Sequence, residues 1–162
     1  VTHCKVLDDV LPAIEKAMKE SPEVLIESEL KGVEISNGAY RTSAGGMRVL
    51  PITEVVPKTD LFDYDAKYNG LVEEITPARL SEETTKRVQA LTGAIYDILG
   101  ASGIIRIDYI ISRNEDGADV INMLEINTTP GMTATSFIPQ QVRAAGLEMK
   151  DVLNEIIADK LS

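Results

Sequence analysis

Two apolar segments joined by a short polar stretch constrain the fold of this chain more than any other feature. The segments are IIRIDYII (104–111) and VINMLEIN (120–127), and the stretch between them is SRNEDGAD. Ile, Val and Tyr favour strands, and an Asp-Gly pair favours a tight hairpin turn. The three pieces therefore predict an antiparallel β-hairpin.

Polar residues interrupt both strands of this hairpin on one face. Arg106 and Asp108 are two apart in the first strand, and residues two apart project from the same face. Glu125 and Asn127 have the same spacing in the second strand. If the Asp-Gly pair at 116–117 forms a two-residue turn, Asp108 lies opposite Glu125. The same register sets Arg106 opposite Asn127.

The opposed carboxylates of Asp108 and Glu125 allow two interpretations. Like charges on directly opposed residues, about 4.5–5.5 Å apart at Cβ, are destabilising unless a cation lies between them. Mg²⁺ or Mn²⁺ is one such cation, because both prefer carboxylate and amide oxygens as ligands. Arg106 is the alternative, since its guanidinium can neutralise both carboxylates in a structural ion-pair network.

The loop that follows the hairpin has the composition of an anion-binding segment. It reads TTPGMTATS (128–136), with many hydroxyl groups and backbone N–H groups that have no strand partner. Such groups hold anions and stabilise developing negative charge. A plain connecting loop is the alternative interpretation. Lys67, in the polar stretch FDYDAKYNG, is either a phosphate ligand or a solvated side chain.

Composition excludes several functional classes. The chain has 162 residues, 44% hydrophobic and 26% charged, as expected of one globular domain. Its net charge of −10 and its lack of Trp argue against nucleic-acid binding. Its apolar runs are too short to span a membrane. Cys4 and His3 are the only residues of their types, which excludes a disulfide framework and a Cys/His zinc site and favours the reducing cytoplasm.

The remaining segments predict an α+β fold with a mainly antiparallel sheet flanked by helices, because hairpins alternate with helices without βαβ spacing. Residues 57–80 have no steady period and predict a long loop. The predicted helices are 8–20, 82–99 with Ser81 as its cap, a turn at 142–145, and 150–161. The other predicted strands are 24–30 and a hairpin that joins 33–40 to 47–56.

Together these segments resemble the C-terminal part of the D-alanine–D-alanine ligase family, within the ATP-grasp superfamily. The resemblance runs from VLIESELKGVE through FDYDAKY, ITPARL and RIDYII to LEINTTPGMTATSF, which is nearly the whole chain. EINTTPGMT with a following serine is highly specific, whereas RID and EIN alone indicate only an ATP-grasp enzyme. The resemblance implies that residues 1–162 are a catalytic C-terminal fragment of this fold. The N-terminal domain and the glycine-rich phosphate loop would be absent.

The resemblance implies an ATP-dependent ligation of two D-alanines through an acylphosphate, for peptidoglycan synthesis. Asp108, Glu125 and Asn127 would hold two Mg²⁺ or Mn²⁺ ions. Arg106 would stabilise the transferred phosphoryl group and the tetrahedral intermediate. The backbone N–H of Gly131 would contribute to the oxyanion hole.

The resemblance also assigns the substrate contacts. Ser136 and the adjoining amide of Phe137 would fix the carboxylate of the second D-alanine. Lys67 and Tyr68 would close over the site, and a tyrosine at position 68 is similar to ligases that use D-alanine rather than D-lactate. The resemblance also implies the contacts with ATP. A hinge segment that contains Glu27, Ser28 and Leu30 would lie against adenine, and Glu34 would bind the ribose.

Three features differ from the family pattern. The strand ISNGAYRT is more polar than expected, SRNEDGAD is longer than the usual turn, and the first-substrate domain is missing. The fragment is therefore expected to need its N-terminal half for turnover, and the full-length enzyme is expected to be a homodimer. Two alternatives stay open: another ATP-grasp carboxylate–amine ligase, or a noncatalytic module that binds divalent ions or nucleotides.

Overall fold

The computed structural model describes residues 1–57 and 72–161, and these form two compact units. The units are Val1–Leu30 and Lys31–Ser162. Among the residues that it describes, no helix has the length and apolar character needed to cross a membrane.

The first unit contains one short helix. A 3₁₀ turn, Leu7–Asp9, leads into α1, Val10–Ala17, so the predicted helix is confirmed but is shorter than predicted. The predicted strand at 24–30 is wrong, because these residues are not part of any strand. Their apolar side chains gave a strand pattern, but a strand also requires a hydrogen-bonded partner, and none of the described strands pairs with them.

The second unit is built on an antiparallel sheet, which confirms the predicted fold class. Among the described residues the strand order is β4-β3-β1-β5-β6, and β2 pairs with β1 beside this path. The strands are β1 Val33–Arg41, β2 Met47–Val49, β3 Thr53–Pro57, β4 Val72–Ile75, β5 Ile104–Arg113 and β6 Asp119–Asn127.

The predicted hairpin around SAGG is confirmed, with one interruption. β1 pairs with β2 at Ala39 and Val49 and with β3 at Ser36 and Thr53. The partner segment breaks between β2 and β3 around Pro51, which has no N–H to donate to a ladder. The predicted loop over 57–80 is wrong at Val72–Ile75, since these residues form β4 against β3.

Helices cover the two faces of this sheet unequally. α2, Glu82–Ile98, packs on one face, where Val88 and Tyr96 join the main core. As predicted, Ser81 caps it by accepting a hydrogen bond from the N–H of Thr84 at 3.1 Å. α3, Phe137–Ala144, and α4, Met149–Leu161, pack on the other face around Tyr40 and Leu50. α3 therefore begins before the predicted turn at 142–145, whereas α4 matches the predicted helix.

The face that α3 and α4 share with the sheet also carries the polar residues of the hairpin. Along β5 the side chains at 105, 107, 109 and 111 are buried in the same core as Val88 and Tyr96 of α2. Arg106 and Asp108 alternate with them and are only partly buried. The fold therefore leaves a half-open polar region beside the N-terminal end of α3.

Candidate functional site

The strand register brings the predicted polar residues together. β5 and β6 pair with Asp108 opposite Glu125 and with Arg106 opposite Asn127, as predicted. Cross-strand neighbours in such a pair are in direct contact range. The hairpin therefore places two carboxylates, an amide and a guanidinium in one small area.

The turn that produces this register is not the predicted one. The connection has three residues, 115–117, closed by a 3.0 Å hydrogen bond from the N–H of Asn114 to the carbonyl of Ala118, and Gly117 has a φ of +79°. The two-residue turn is therefore wrong, and the strands near it pair one residue away from the predicted register. A bulge at Leu124 adds one residue to β6 and restores the predicted pairing at the site.

Arg106 faces both carboxylates. Its Nε donates to Asp108 Oδ1 at 3.0 Å and its Nη2 donates to Oδ2 at 2.8 Å, a bidentate contact. The same Nη2 lies 3.8 Å from Oε1 of Glu125. The side chain of Asp108 is 13% exposed and that of Glu125 is 64% exposed. The guanidinium is therefore tightly paired with Asp108 and only loosely with Glu125, which is the kind of contact that the ion-pair interpretation predicts.

The donor set still suits a hard divalent ion. Asp108, Glu125 and Asn127 offer only oxygen ligands in this area, which is the chemistry that Mg²⁺ and Mn²⁺ prefer. Within residues 1–57 and 72–161, no three His, Cys, Asp or Glu side chains form a cluster that could hold a metal. Any ion here would therefore need the Asn127 amide, water or ligand oxygens to complete its coordination.

Ser36 is a functional neighbour that the sequence reasoning missed. Its Oγ donates to Asp108 Oδ1 at 2.7 Å from the adjacent strand, where β1 pairs Ser36 with Asp108. The hydroxyl fixes the orientation of the carboxylate. The Ser36 hydroxyl lies beside Asp108 only because β1 pairs with β5. No local sequence pattern predicts this long-range pairing.

The TTPGMTATS loop meets this region at the N-terminal end of α3. Thr133 Oγ1 and Ser136 Oγ are 2.8 Å apart, and Ser136 precedes the helix without capping it through its side chain. The guanidinium of Arg106 lies over the Phe137 ring, 5.3 Å from its centroid, a cation–π contact. An added Cβ on Gly131 would lie 2.8 Å from Ser136 Oγ. Glycine therefore allows the loop backbone to approach Ser136 closely.

The predicted nucleotide contacts are placed only in part. Glu34 lies two residues from Ser36 on β1, beside a shallow pocket that is also lined by Val55 and Pro57. Glu27, Ser28 and Leu30 belong to the first unit, in a segment without regular structure. Lys67 and Tyr68 lie outside the described residues.

Comparison with known proteins gives one consistent family. The family model described as "D-ala D-ala ligase C-terminus" matches residues 1–158. A D-alanine–D-alanine ligase of Phocaeicola vulgatus is 62% identical over 160 residues, which are 99% of this chain and 48% of that protein. One from Bacteroides fragilis is 61% identical over the same shares of the two chains. The chain thus spans about half the length of the curated relatives that it matches.

A solved structure supports the same family. The crystal structure of a D-alanine–D-alanine ligase from Bacillus anthracis has a TM-score of 0.75 and 30% identity, and it covers 96% of this chain and 48% of its own. Family model, relatives and fold therefore agree with the geometry of the hairpin and the loop. The chain belongs to the D-alanine–D-alanine ligase family and corresponds to its C-terminal part.

Proposed function

We propose that this chain is the metal- and ATP-binding part of an enzyme that joins two D-alanines. In this reaction the γ-phosphoryl group of ATP passes to the carboxylate of one D-alanine, giving ADP and an acylphosphate. The amine of a second D-alanine attacks the acyl carbon, loses a proton, and displaces phosphate. The observation that carries the proposal is the register that sets Asp108 opposite Glu125, with Arg106 between the carboxylates and the α3 N-terminus.

Asp108, Glu125 and Asn127 would hold two Mg²⁺ or Mn²⁺ ions. When bound, such ions neutralise and orient the phosphates of ATP. Asp108 accepts hydrogen bonds from both Arg106 and Ser36. Ser36 would keep this carboxylate oriented, next to the guanidinium of Arg106.

Arg106 would then direct its donors to the transferred phosphoryl group. Its guanidinium carries a positive charge and five N–H donors. The guanidinium lies over the Phe137 ring, 5.3 Å from its centroid, and this cation–π contact favours its present position. In this position the guanidinium would offer a positive charge where negative charge develops during transfer.

The loop and the start of α3 would bind the acceptor. Backbone N–H groups at a helix N-terminus favour a carboxylate. Ser136 Oγ and the Phe137 N–H would hold the carboxylate of the second D-alanine, and the Gly131 N–H would face the oxyanion. The close approach of Gly131 to Ser136 supports this assignment.

The proposal also assigns residues to the binding of ATP. Glu34 would bind the ribose. Glu27, Ser28 and Leu30 would lie against adenine, and Lys67 and Tyr68 would close over the site. The structure of the Bacillus anthracis ligase complexed with ATP has the same TM-score of 0.75 to this chain. It supports ATP as the nucleotide.

The proposed enzyme acts in the cytoplasm, as a homodimer, in peptidoglycan synthesis. Its partner within the protein is the N-terminal half, because the chain covers 48% of its relatives. That half would supply the groups that bind the first D-alanine and cover the triphosphate.

Product analysis tests the proposal. The chain, extended to the length of its relatives, is incubated with ATP, Mg²⁺ and D-alanine, and the products are identified by mass spectrometry. We expect D-alanyl-D-alanine and one ADP per dipeptide, with no product from L-alanine. A D-Ala:D-Ser ligase from Enterococcus faecalis has a TM-score of 0.74 to this chain, so D-serine is offered as a competing acceptor. A mixed product dominated by D-serine, or none, would contradict the proposal.

A further inference from the structure

Gln141 is a fully buried amide at the contact between α3 and the sheet. Its Oε1 accepts a hydrogen bond from the N–H of Gly38 at 2.9 Å. Its Nε2 donates to the carbonyl of Ser36 at 2.9 Å and to Thr53 Oγ1 at 3.1 Å. One side chain of α3 therefore bonds to the backbone of β1 and to a side chain of β3.

The glycine and the polar residues of β1 explain how α3 and the neighbouring backbone pack at this contact. An added Cβ on Gly38 would lie 2.8 Å from Gln141 Oε1 and 2.5 Å from Ile138 Cδ1, so only glycine lets α3 approach this closely. Asn37 donates to the carbonyl of Leu50 at 2.7 Å, where β2 has ended. The polar residues of ISNGAYRT thus satisfy backbone groups at the point where the ladder is interrupted.

α3 in turn holds the loop that would bind the acceptor. Gln140 Nε2 donates to the carbonyl of Thr135 at 2.8 Å, and Arg143 Nη2 donates to the carbonyl of Ala134 at 2.9 Å. Both carbonyls lie in the segment just before Ser136. The loop therefore follows the position of α3, and the position of α3 depends on Gln141.

We propose that Gln141 is a positioning residue that fixes the distance between the acceptor end of α3 and Asp108. Ser36 links α3 to the carboxylate of Asp108. Its carbonyl accepts a hydrogen bond from Gln141, and its hydroxyl donates one to Asp108. The three hydrogen bonds of Gln141 are directional, so they fix both the rotation of α3 about its axis and its position along the sheet. Apolar packing alone would resist sliding of the helix on the sheet less. This inference rests on the proposed function for its assignment of Ser136 and Phe137 to the acceptor carboxylate.

Two variants of the extended protein test the inference. Gln141→Met keeps a side chain of similar volume and removes the three hydrogen bonds. Thr92→Val is the matched control, because Thr92 is fully buried and its hydroxyl bonds to Tyr109 at 2.8 Å on the opposite face of the sheet. Both variants should lose some thermal stability, since each leaves buried polar groups without a partner.

The readouts are amide hydrogen exchange over residues 133–140 and the steady-state constants. We expect faster exchange in this segment and a roughly tenfold higher KM for acceptor D-alanine in Gln141→Met, because lost preorganisation is expressed as weaker binding. The KM for ATP should stay within about twofold of the wild-type value. Thr92→Val should change neither the local exchange nor the acceptor KM.

The outcomes separate this inference from the proposed function. Unchanged exchange and KM in Gln141→Met, or equal changes in both variants, would overturn the positioning role. A wild-type enzyme that makes no dipeptide would reject the proposed function together with the acceptor assignment. Hydrogen exchange would still decide whether Gln141 fixes α3, because it requires no turnover.

Discussion

The charge balance at the site depends on one arginine. Arg106 is bound bidentately to Asp108 and lies 3.8 Å from Glu125, so its positive charge offsets part of the repulsion between the two opposed carboxylates. The contacts of Arg106 agree with the ion-pair interpretation of the sequence, and the metal site at the same residues remains a prediction.

Glu125→Gln separates the catalytic role of this residue from its structural role. In the extended enzyme we expect ATP-dependent activity to be abolished, since the substitution removes the charge of a proposed metal ligand. The free energy of unfolding should change by no more than about 0.5 kcal/mol, because the side chain is 64% exposed and relief of repulsion offsets the lost contact.

Glu115→Gln is the control for this substitution. Glu115 is an exposed carboxylate in the turn of the same hairpin, away from the site. Activity and thermal unfolding are measured for both variants. Near-normal turnover in Glu125→Gln would contradict the metal assignment, and a large loss of stability would contradict the structural account.

Glu54 gives a prediction about pH. Its buried carboxylate accepts hydrogen bonds from Nε and Nη2 of Arg79 at 2.9 and 2.7 Å, and from the Arg79 backbone N–H at 3.0 Å. The side-chain bonds from Arg79 hold the pKa of Glu54 below its ordinary value of 4.5, although burial opposes them. This stabilisation is therefore complete above pH 4.5 and is lost as the pH falls through the lowered pKa.

Glu54→Gln should cost about 1–3 kcal/mol at neutral pH, since charged hydrogen bonds become weaker or are lost. Denaturant unfolding of both proteins between pH 7 and pH 3 measures the effect. The difference between wild type and variant should shrink below the ordinary pKa of 4.5. A difference that stays constant over this range would show that the ionised carboxylate is not the stabilising form.

At the level of elements, local patterns predicted α2, α4 and the two strands of the central hairpin. Ser81 and Gly100 delimit α2 as predicted, because a cap and a left-handed glycine act within a few residues. The pairing of Asp108 with Glu125 was also predicted, but only because the three-residue turn and the bulge at Leu124 compensate each other. A strand register predicted from the turn residues can therefore be correct at the site and wrong beside the turn.

The elements that sequence patterns missed depend on distant partners. β4 forms because β3 lies beside it, and 24–30 lacks a strand partner among the described residues despite its apolar composition. Ser36 and Gln141 gained their roles from contacts 72 and 105 residues away along the chain. The roles that came from the family resemblance, such as those of Lys67 and Tyr68, remain predictions.

The start of α2 gives a prediction at this scale. Ser81→Ala removes the acceptor for the Thr84 N–H and should lower the free energy of unfolding by about 1 kcal/mol. Ser81→Asp keeps an acceptor and should retain most of the stability. Thermal unfolding of the two variants measures the difference. Equal stability of both variants would show that the cap contributes nothing here.

At the level of the whole molecule, the negative net charge of the chain opposes the binding of an anionic substrate. The chain carries 26 acidic and 16 basic residues, a formal net charge of −10, yet the proposed substrate is a polyanion. Among the described residues, Arg106 is the basic group at the site. If ATP binds here as proposed, we expect divalent ions to bind with it, because they would offset the negative charge of the phosphates and of the chain.

Mg²⁺-dependent release of phosphate from ATP in the presence of D-alanine tests this account most directly. The measurement compares the chain alone with the chain extended to the length of its relatives. We predict turnover only in the extended form, dependent on Mg²⁺ and absent with L-alanine. No D-alanine-dependent release from the extended form, with Mg²⁺ still bound at the hairpin, would contradict the ligase and favour a noncatalytic ion-binding module.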